Sequence, residues 1–436
     1  MSEAAARSIV KRLRAKGFEA LYAGGCVRDR LLGIEPHDYD VATSAHPEQV
    51  ESLFPRTVPV GAQFGVILVL EGDAEIQVAT FRGDGAYRDG RHPESVRYTD
   101  AEGDALRRDF TINGLFYDPI AEKVLDFVGG RDDLEKRRIR AIGNPSERFA
   151  EDKLRLLRAV RFATTLGFSI DPGTWSALLE WTPEIHSVSA ERIREEFCKI
   201  LLSSNRLHGF DLLDQSGLLR MILPEMEFLK GCDQPPDFHP EGDVFVHTRL
   251  MLSLLPEKVS LPLLLSVLFH DLGKPATRVV DETGRIRFNG HEGVSTEMSL
   301  RILQRLRFPN EIIDGVLPAV RLHMSFKDVP NMRIATLKRM MARPTFDDEL
   351  ELHRVDCLAS HGMLDNHALL IAKREEFSHE PLIPSPLVTG DDLIALGWKP
   401  GPSFAEILQS IQTRQLEGLL TSREEALKWI SSEKAG

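Results

Sequence analysis

The chain has 436 residues, with 54 Lys plus Arg against 66 Asp plus Glu and a formal charge of −12. At 42% hydrophobic and 28% charged residues it has the make-up of a folded chain, not a disordered one, and its length fits roughly three domains. The acidic sum argues against a general polyanion binder, but it conceals the stretch Arg131–Arg161, which holds ten basic and six acidic side chains. The four cysteines, Cys26, Cys198, Cys232 and Cys357, form no CxxC pair. That speaks against a disulfide framework and for reduced thiols in the cytoplasm. The opening segment MSEAAARSIVKRLRAKGFEA has no apolar core, so no signal peptide is expected. The longest apolar run, around Val259–Phe269, is too short to span a bilayer. No membrane partner is expected, and oligomeric state is not legible.

Residues 7–16 read as a helix and Phe18–Ala23 as a short strand, ended by Gly24-Gly25. Val27–Leu32 starts a helix, and a second strand runs through Tyr39–Ala42. Val58–Leu70 and Ala74–Phe81 alternate apolar and small residues around a turn at Glu71-Gly72-Asp73. Phe81–Arg97, rich in arginine, glycine and acidic residues, reads as a polar loop. Strands and helix mix until Gly129-Gly130, and from about residue 147 helical periodicity dominates. Helices are expected at Glu151–Thr165, Thr174–Trp181, Ala190–Ser203 and Gly209–Gly217, with Ser189 as an N-cap. Gln234–Pro240 breaks the pattern. Leu261–Leu272 and Gly293–Leu306 follow as helices, then a proline-rich linker at His379–Pro386 and short helices over residues 390–430.

Two constellations carry chemistry. In the first, Gly24-Gly25 lies between a strand and a helix, where backbone N–H groups can approach a phosphate, and Arg28 adds a charged fork. Asp38 and Asp40, two apart on an extended segment, share one face about 7 Å apart and suit a hard cation such as Mg2+. In the second, His247, His270-Asp271, His291, His323 and Asp356 offer imidazoles and carboxylates together, a set suited to a transition metal.

The order GGxVRD then DxD resembles the head of class II tRNA nucleotidyltransferases, the CCA-adding enzymes, and of bacterial poly(A) polymerases. Further motifs match in order: Arg107-Arg108-Asp109-Phe110-Thr111-Ile112-Asn113, Asp126–Gly130 with Asp132-Asp133-Leu134, Glu151-Asp152-Lys153-Leu154-Arg155 through Arg158 and Arg161, and Glu191-Arg192-Ile193 with Glu195-Glu196-Phe197. The resemblance implies an α+β fold: a small mixed α/β, polymerase-β-like nucleotidyltransferase head over residues 1–145, then an all-α neck and body over 146–233. An HD domain over 234–378 and a helical tail over 379–436 complete it. It implies addition of C and A to tRNA from CTP and ATP, with RNA and not DNA as the nucleic acid. Asp38 and Asp40 would be the catalytic Mg2+ ligands. Gly25, Arg28, Arg108, Asp152, Arg155, Arg158 and Arg161 would bind the nucleotide.

Physically, Asp152 and Arg155 are three apart and, on one helix, would share a face. Acceptor and donor together match cytosine and adenine, which both set an amino donor beside a ring-nitrogen acceptor. The loop at Phe81–Arg97 resembles the family's flexible loop. The chain departs from the family at Gln77, where an acidic residue is common, with Glu75 two positions earlier on the same strand face. The order H…HD…H…H…D resembles HD phosphohydrolases, which implies Ni2+, Mn2+ or a similar ion on His247, His270, Asp271 and Asp356, with His291 and His323 on a second ion. Lys274 would steady a phosphate, and RNA-end hydrolysis would follow. His239, His353 and His361 read as ordinary buried histidines. The alternatives are a poly(A) polymerase, a CC-adding or A-adding enzyme, or an RNA-binding or HD hydrolase protein with an inactive head.

Overall fold

The computed structural model describes residues 2–61, 65–84, 96–236 and 238–433. They fall into two compact units, Met1–Pro224 and Glu225–Gly436.

The first unit begins with α1 (Ser2–Ala15), β1 (Ala20–Ala23), α2 (Gly25–Leu31), β2 (Val41–Thr43), α3 (Pro47–Leu53), β3 (Thr57–Gly61) and β4 (Val66–Glu71). It continues through β5 (Ala74–Thr80), β6 (Arg82–Asp84), β7 (Val96–Tyr98), α4 (Ala101–Leu106), β8 (Leu115–Asp118) and β9 (Lys123–Asp126). Seven strands form one mixed sheet in the order β3-β4-β5-β2-β1-β8-β9. β2 and β5 run parallel, and the other neighbours are antiparallel. α1 buries Ala5, Ala6, Ile9, Val10 and Leu13 at helical spacing. Leu21, Ala23, Ala42 and Phe116 of the sheet pack with Phe81 and with Ala101 and Ala105 of α4. This core fixes the ends of β1 and β2, which carry the site.

Three expectations change here. The stretch Val58–Leu70 is two strands, because Gly65 takes a left-handed φ of +80° between them and the chain doubles back. The second strand starts at Val41, so Asp38 and Asp40 precede it. Of the polar loop, residues 85–95 lie outside the described residues, and its flanks pair as β6 and β7.

The unit ends in helices: α5 (Gly130–Glu135), then β10 (Arg138–Ile139), α6 (Pro145–Glu151), α7 (Leu154–Leu166), β11 (Ser169–Ile170), α8 (Pro172–Trp181), α9 (Ala190–Leu201), α10 (Arg206–Gln215) and α11 (Leu218–Ile222). α7 buries Leu156, Leu157, Ala159, Val160 and Ala163 and packs on α9 and α10. The helix expected over Glu151–Thr165 is broken. Asp152 is extended, at φ −142° and ψ 106°, and its carboxylate accepts the Leu154 N–H at 3.0 Å. Asp152 therefore starts α7 from outside it and does not share a helix face with Arg155. Ser189 holds the N-cap position of α9, but its side chain makes no capping bond.

The second unit is helical: α12 (Val244–Leu254), α13 (Leu261–Phe269), α14 (Lys274–Thr277), the hairpin β12 (Val279–Val280) and β13 (Ile286–Arg287), α15 (His291–Arg305), α16 (Asn310–Leu322), α17 (Ile334–Met341) and α18 (Phe346–Ala359). α19 (Asp365–Glu376), α20 (Gly390–Ala395), α21 (Pro402–Leu416) and α22 (Arg423–Glu433) complete it. α13 is apolar on every side and buried from Leu263 to Phe269, so it forms the centre, with α12, α16 and α18 packed around it. Val388, Leu393, Ile411, Leu420, Ala426 and Ile430 make a separate small core in the C-terminal helices. No helix among the described residues is long and apolar enough to cross a membrane.

Candidate functional site

In the first unit a cavity of 550 Å³ opens between the sheet and α7. Gly24, Gly25, Arg28 and Asp40 line one side, Arg107, Arg108, Asp109 and Asn113 the middle, and Asp152, Arg155, Arg158, Arg161 and Phe162 the other. The structure thus brings every nucleotide-binding candidate to one cavity. Asp38 does not line it, but stands exposed beside buried Tyr39, two residues before Asp40. Gly24 has φ +72°, and a Cβ there would meet Arg108 Nη1 at 2.8 Å. The turn therefore favours glycine on conformational grounds, and a side chain there would also push against the end of Arg108.

The cationic side chains are anchored in advance. Arg28 donates to Asn113 Oδ1 at 2.8 Å, and Arg108 to Asp104 Oδ2 at 2.9 Å. Arg158 Nε reaches Asp109 Oδ2 at 2.7 Å, and Arg161 Nε reaches Glu196 Oε2 at 2.6 Å. Phe162 lies under the guanidinium groups of Arg28, Arg158 and Arg161, the last at 4.0 Å from the ring centroid. Burial opposes the charge of Asp109, yet Arg158 and bonds from Asn113 and the Phe110 N–H hold its carboxyl down at about 2.

The base-selecting candidates do not pair with each other. Arg155 donates to Glu151 Oε2 at 2.6 Å and to the carbonyls of Arg148 and Arg107. Asp152 instead receives Arg192 of α9, at 2.8 Å on Oδ2 and 3.4 Å on Oδ1. Arg192 sits in the fifth motif, but nothing in its spacing discloses this partner 40 residues away.

At the metal end, burial and the neighbouring Asp38 raise the Asp40 carboxyl above its usual range, against the pull of Arg108. A carboxyl raised in this way, with a second carboxylate two residues before it, fits a divalent cation. The parallel register sets Val41, the residue after Asp40, beside Val78, the residue after Gln77. Both Gln77 and Glu75 are exposed, while Ile76 and Val78 are buried.

The second unit assembles the histidine cluster. His247, His270 and Asp271 form one trio, and Asp271, His291 and His323 another, each with ligand atoms within 4.8 Å of one another. Asp271 offers Oδ2 to His270 Nε2 at 3.1 Å and Oδ1 to His291 Nε2 at 3.3 Å. His247 Nε2 lies 3.1 Å from Asp356 Oδ1. His247 Nε2, His270 Nε2 and both Asp271 oxygens are buried among imidazoles and carboxylates, with Lys274 Nζ 2.7 Å from Asp271 Oδ2. Such converging ligand atoms fit a metal centre, which His247, His270, Asp271, His291, His323 and Asp356 would hold.

Burial lowers His247, but hydrogen bonds to Asp356 and Glu241 outweigh it and push the imidazole up to about 9. Burial beside His270 pushes His323 down to about 3, leaving it neutral. A Cβ on Gly273 would meet the His291 carbonyl at 2.4 Å, so glycine lets α15 close on the His270-Asp271 corner.

Sequence reasoning missed Glu241, whose Oε1 accepts from Nδ1 of both His247, at 2.6 Å, and His239, at 2.9 Å. His239 therefore belongs to the cluster's rim and is not a bland core histidine. His361 lines the adjoining cavity, and His353 stacks on Phe326 as packing. Lys274, expected to steady a phosphate, is buried and already held by Asp271 and Gln234 at 2.7 Å each.

Residues 20–140 match the family model described as the poly A polymerase head domain. Residues 167–229 match that of a probable RNA and SrmB-binding site of polymerase A. A CCA-adding enzyme of Enterococcus faecalis is 45% identical over 205 residues, 47% of this chain and 50% of its own length. The chain spans about half the length of the curated relatives it matches. The crystal structure of the Bacillus stearothermophilus CCA-adding enzyme with CTP aligns over 99% of this chain and 97% of its own, at TM-score 0.74 and 26% identity. The Thermotoga maritima CCA-adding enzyme complexed with tRNA shares the fold, at TM-score 0.60 and 18% identity over 98% of this chain and 94% of its own. A mixed α/β sheet with this ordered set of motifs around one cavity leads to one conclusion: residues 20–140 form a poly A polymerase head domain, followed by a helical body similar in fold to that of CCA-adding enzymes.

Proposed function

We propose that this chain adds C and A to the 3′ end of tRNA from CTP and ATP without a nucleic-acid template, completing or repairing the CCA end. One observation carries the reading. The Gly24-Gly25 turn, suited to a phosphate, and Asp152 and Arg155, suited to a base edge, line the same cavity. We place the activity in the cytoplasm, where the four free cysteines stay reduced.

In this reading Asp38 and Asp40 hold Mg2+, which supplies positive charge against the attacking hydroxyl and the leaving pyrophosphate. The tRNA 3′-hydroxyl attacks the α-phosphorus, the bond to the bridging oxygen of pyrophosphate breaks, and that oxygen leaves with the electron pair. The Gly25 turn, Arg28 and Arg108 orient the triphosphate and stabilise its growing charge. Their anchors on Asn113 and Asp104 keep them in place at no cost in reorganisation.

A carboxylate has about four acceptor positions. Asp152 can thus keep Arg192 and still accept the amino group of cytosine or adenine. Arg155 retains an Nε–H and one Nη2–H for the ring nitrogen. Uracil and guanine present the opposite polarity at these positions and are rejected.

The test offers tRNA ending before CCA, tRNA-C and tRNA-CC with CTP, ATP or both. Completion of every substrate to CCA is expected. Long A-tails would replace the reading with poly(A) polymerase, and no incorporation would replace it with a binding module.

We further propose that the histidine cluster holds Ni2+, Mn2+ or a similar ion on His247, His270, Asp271 and Asp356, with a second ion on Asp271, His291 and His323. It would hydrolyse phosphate esters at RNA ends. A metal there supplies Lewis-acid activation of water. Glu241 fixes the His247 ring through Nδ1, so that Nε2 faces the centre. Metal analysis and Mn2+-dependent hydrolysis of 2′,3′-cyclic nucleotides test this. A metal-free, inert protein, indistinguishable from His270→Ala, would refute it.

A further inference from the structure

A cavity of 370 Å³ stands over the histidine cluster, large enough for a nucleotide. Its floor is Asp271, His291, His323 and Asp356. Its walls have a different character. Phe238 and Phe288 line it, and Arg285 and Arg287 come from the β12–β13 hairpin. The Arg285 guanidinium stands 5.6 Å from the centroid of the Phe238 ring, and the Lys274 ammonium 5.5 Å from that of Phe288.

These walls need an explanation that the cluster alone does not give. A metal centre that cleaves phosphate esters requires ligands and cationic charge, not aromatic rings. Phe238 is nonetheless 42% exposed at the cavity edge, where a large apolar ring gains little from folding. Arg285 is exposed, and no carboxylate among the described residues pairs with it. Arg287 is tied to Asp281 at 2.8 Å, which braces the hairpin. An open ring with a cation over it is a stacking platform for a flat base, and the cation also attracts the attached phosphate.

We propose that Phe238 and Arg285 are the specificity wall of this centre, selecting a ribonucleoside phosphate over a bare phosphate by stacking its base. This rests on the phosphohydrolase reading above for the role of the floor. The phosphate would lie toward Asp271 and the metals, and the base toward the hairpin.

The ligand chemistry is shared by a free nucleotide and by the end of an RNA, so the experiment carries both. Adenosine 3′-monophosphate, a short RNA ending in a 3′-phosphate, and inorganic phosphate are titrated calorimetrically into the full chain, Mn2+-loaded or chelated. Bound metal is quantified separately. Phe238→Ala and Arg285→Ala are measured alongside, which subtracts any binding in the other nucleotide cavity.

The expected result is a preference of about tenfold or more for adenosine 3′-monophosphate over phosphate. It should fall several-fold in each variant, with metal content unchanged. The RNA competing equally identifies an RNA end as ligand, and the mononucleotide alone identifies a free nucleotide; both support the wall. Equal affinity for phosphate and nucleotide, or a preference untouched by either variant, overturns the wall and leaves the hydrolase reading standing. A protein that takes up no metal yet keeps a wall-dependent preference overturns the hydrolase reading instead. If neither metal nor nucleotide binds, both fall.

Discussion

The cavity of the head and the histidine cluster solve the charge problem in opposite ways. In and around the first unit's cavity, guanidinium groups have fixed partners: Arg28 on Asn113, Arg108 on Asp104, Arg158 on Asp109, Arg161 on Glu196 and Arg192 on Asp152. In the cluster, buried imidazoles and the carboxylates of Asp271 and Asp356 crowd together, with the Lys274 ammonium beside Asp271. The first arrangement is pre-organised for a ligand that arrives and departs with every turnover, since nothing must be rebuilt when it leaves. The second suits an ion that stays, because leaving such atoms unsatisfied is costly in a buried setting. The two regions should therefore fail differently.

The largest expected effect breaks the head alone. Asp40→Ala should reduce CCA addition by about a thousandfold or more, the scale at which lost electrostatic stabilisation acts, and leave metal content in the cluster unchanged. His270→Ala should do the reverse, losing metal while single-turnover CTP incorporation persists. Loss of both properties in either variant would mean that the regions are not separable.

Arg192→Ala comes next. It removes the fork that holds Asp152, and displacement of a positioning group by about 1 Å can cost about a hundredfold. Incorporation of CTP and ATP should fall by about that factor, and misincorporation of UTP should rise relative to it. Arg192→Lys, which restores charge without the fork, should recover little of the discrimination. A uniform loss for all four nucleotides would assign Arg192 a purely structural role.

A stability effect sharpens the picture of pre-paired charge. The folded-state carboxyl of Asp109 is depressed to about 2, below an unfolded value of about 3.9. Its contribution is therefore present above about pH 4 and is lost as pH falls through about 2. Asp109→Asn should destabilise the chain by about 2 kcal/mol at neutral pH, and the difference from wild type should shrink across that acid window. Urea unfolding at several pH values measures it, and a pH-independent difference would show that the pair is not what holds the carboxyl down.

The smallest effect concerns Gln77. It lies on β5 next to Val78, which pairs with Val41, and is neutral. Gln77→Glu should tighten Mg2+ or Mn2+ binding several-fold, since a third carboxylate adds a hard oxygen ligand. Titration of bound Mn2+ by electron paramagnetic resonance reads this without turnover, and unchanged affinity would place residue 77 outside the metal's reach.

The sequence was legible where chemistry is local. The Gly24-Gly25 turn, the Asp38/Asp40 pair and the run from Glu151 to Arg161 are short contiguous motifs, so their order and the family resemblance they carry pointed to them. The periodicity of α13, likewise local, indicated a buried helix. What stayed hidden is long-range. The Asp152–Arg192 and Arg158–Asp109 pairs join residues 40 and 49 apart in the chain, and Glu241 reveals its hold on His247 only once the loop before α12 has folded back. The helix break at Asp152 escaped because its neighbours keep helical periodicity on both sides. A carboxylate that bonds the next helix's N–H groups can end one helix and begin another without disturbing that pattern.

Gly24 and Gly273 have a consequence for how mutational surveys of this protein read. Neither offers a side chain to any ligand, yet a methyl group at the first would strike Arg108, and at the second the His291 carbonyl. Gly72 and Gly143 meet nothing within 4 Å, so drift there is limited by backbone conformation alone. A screen scored on activity would rank the first two glycines beside the metal ligands, and would mistake a demand for room for a part in the reaction.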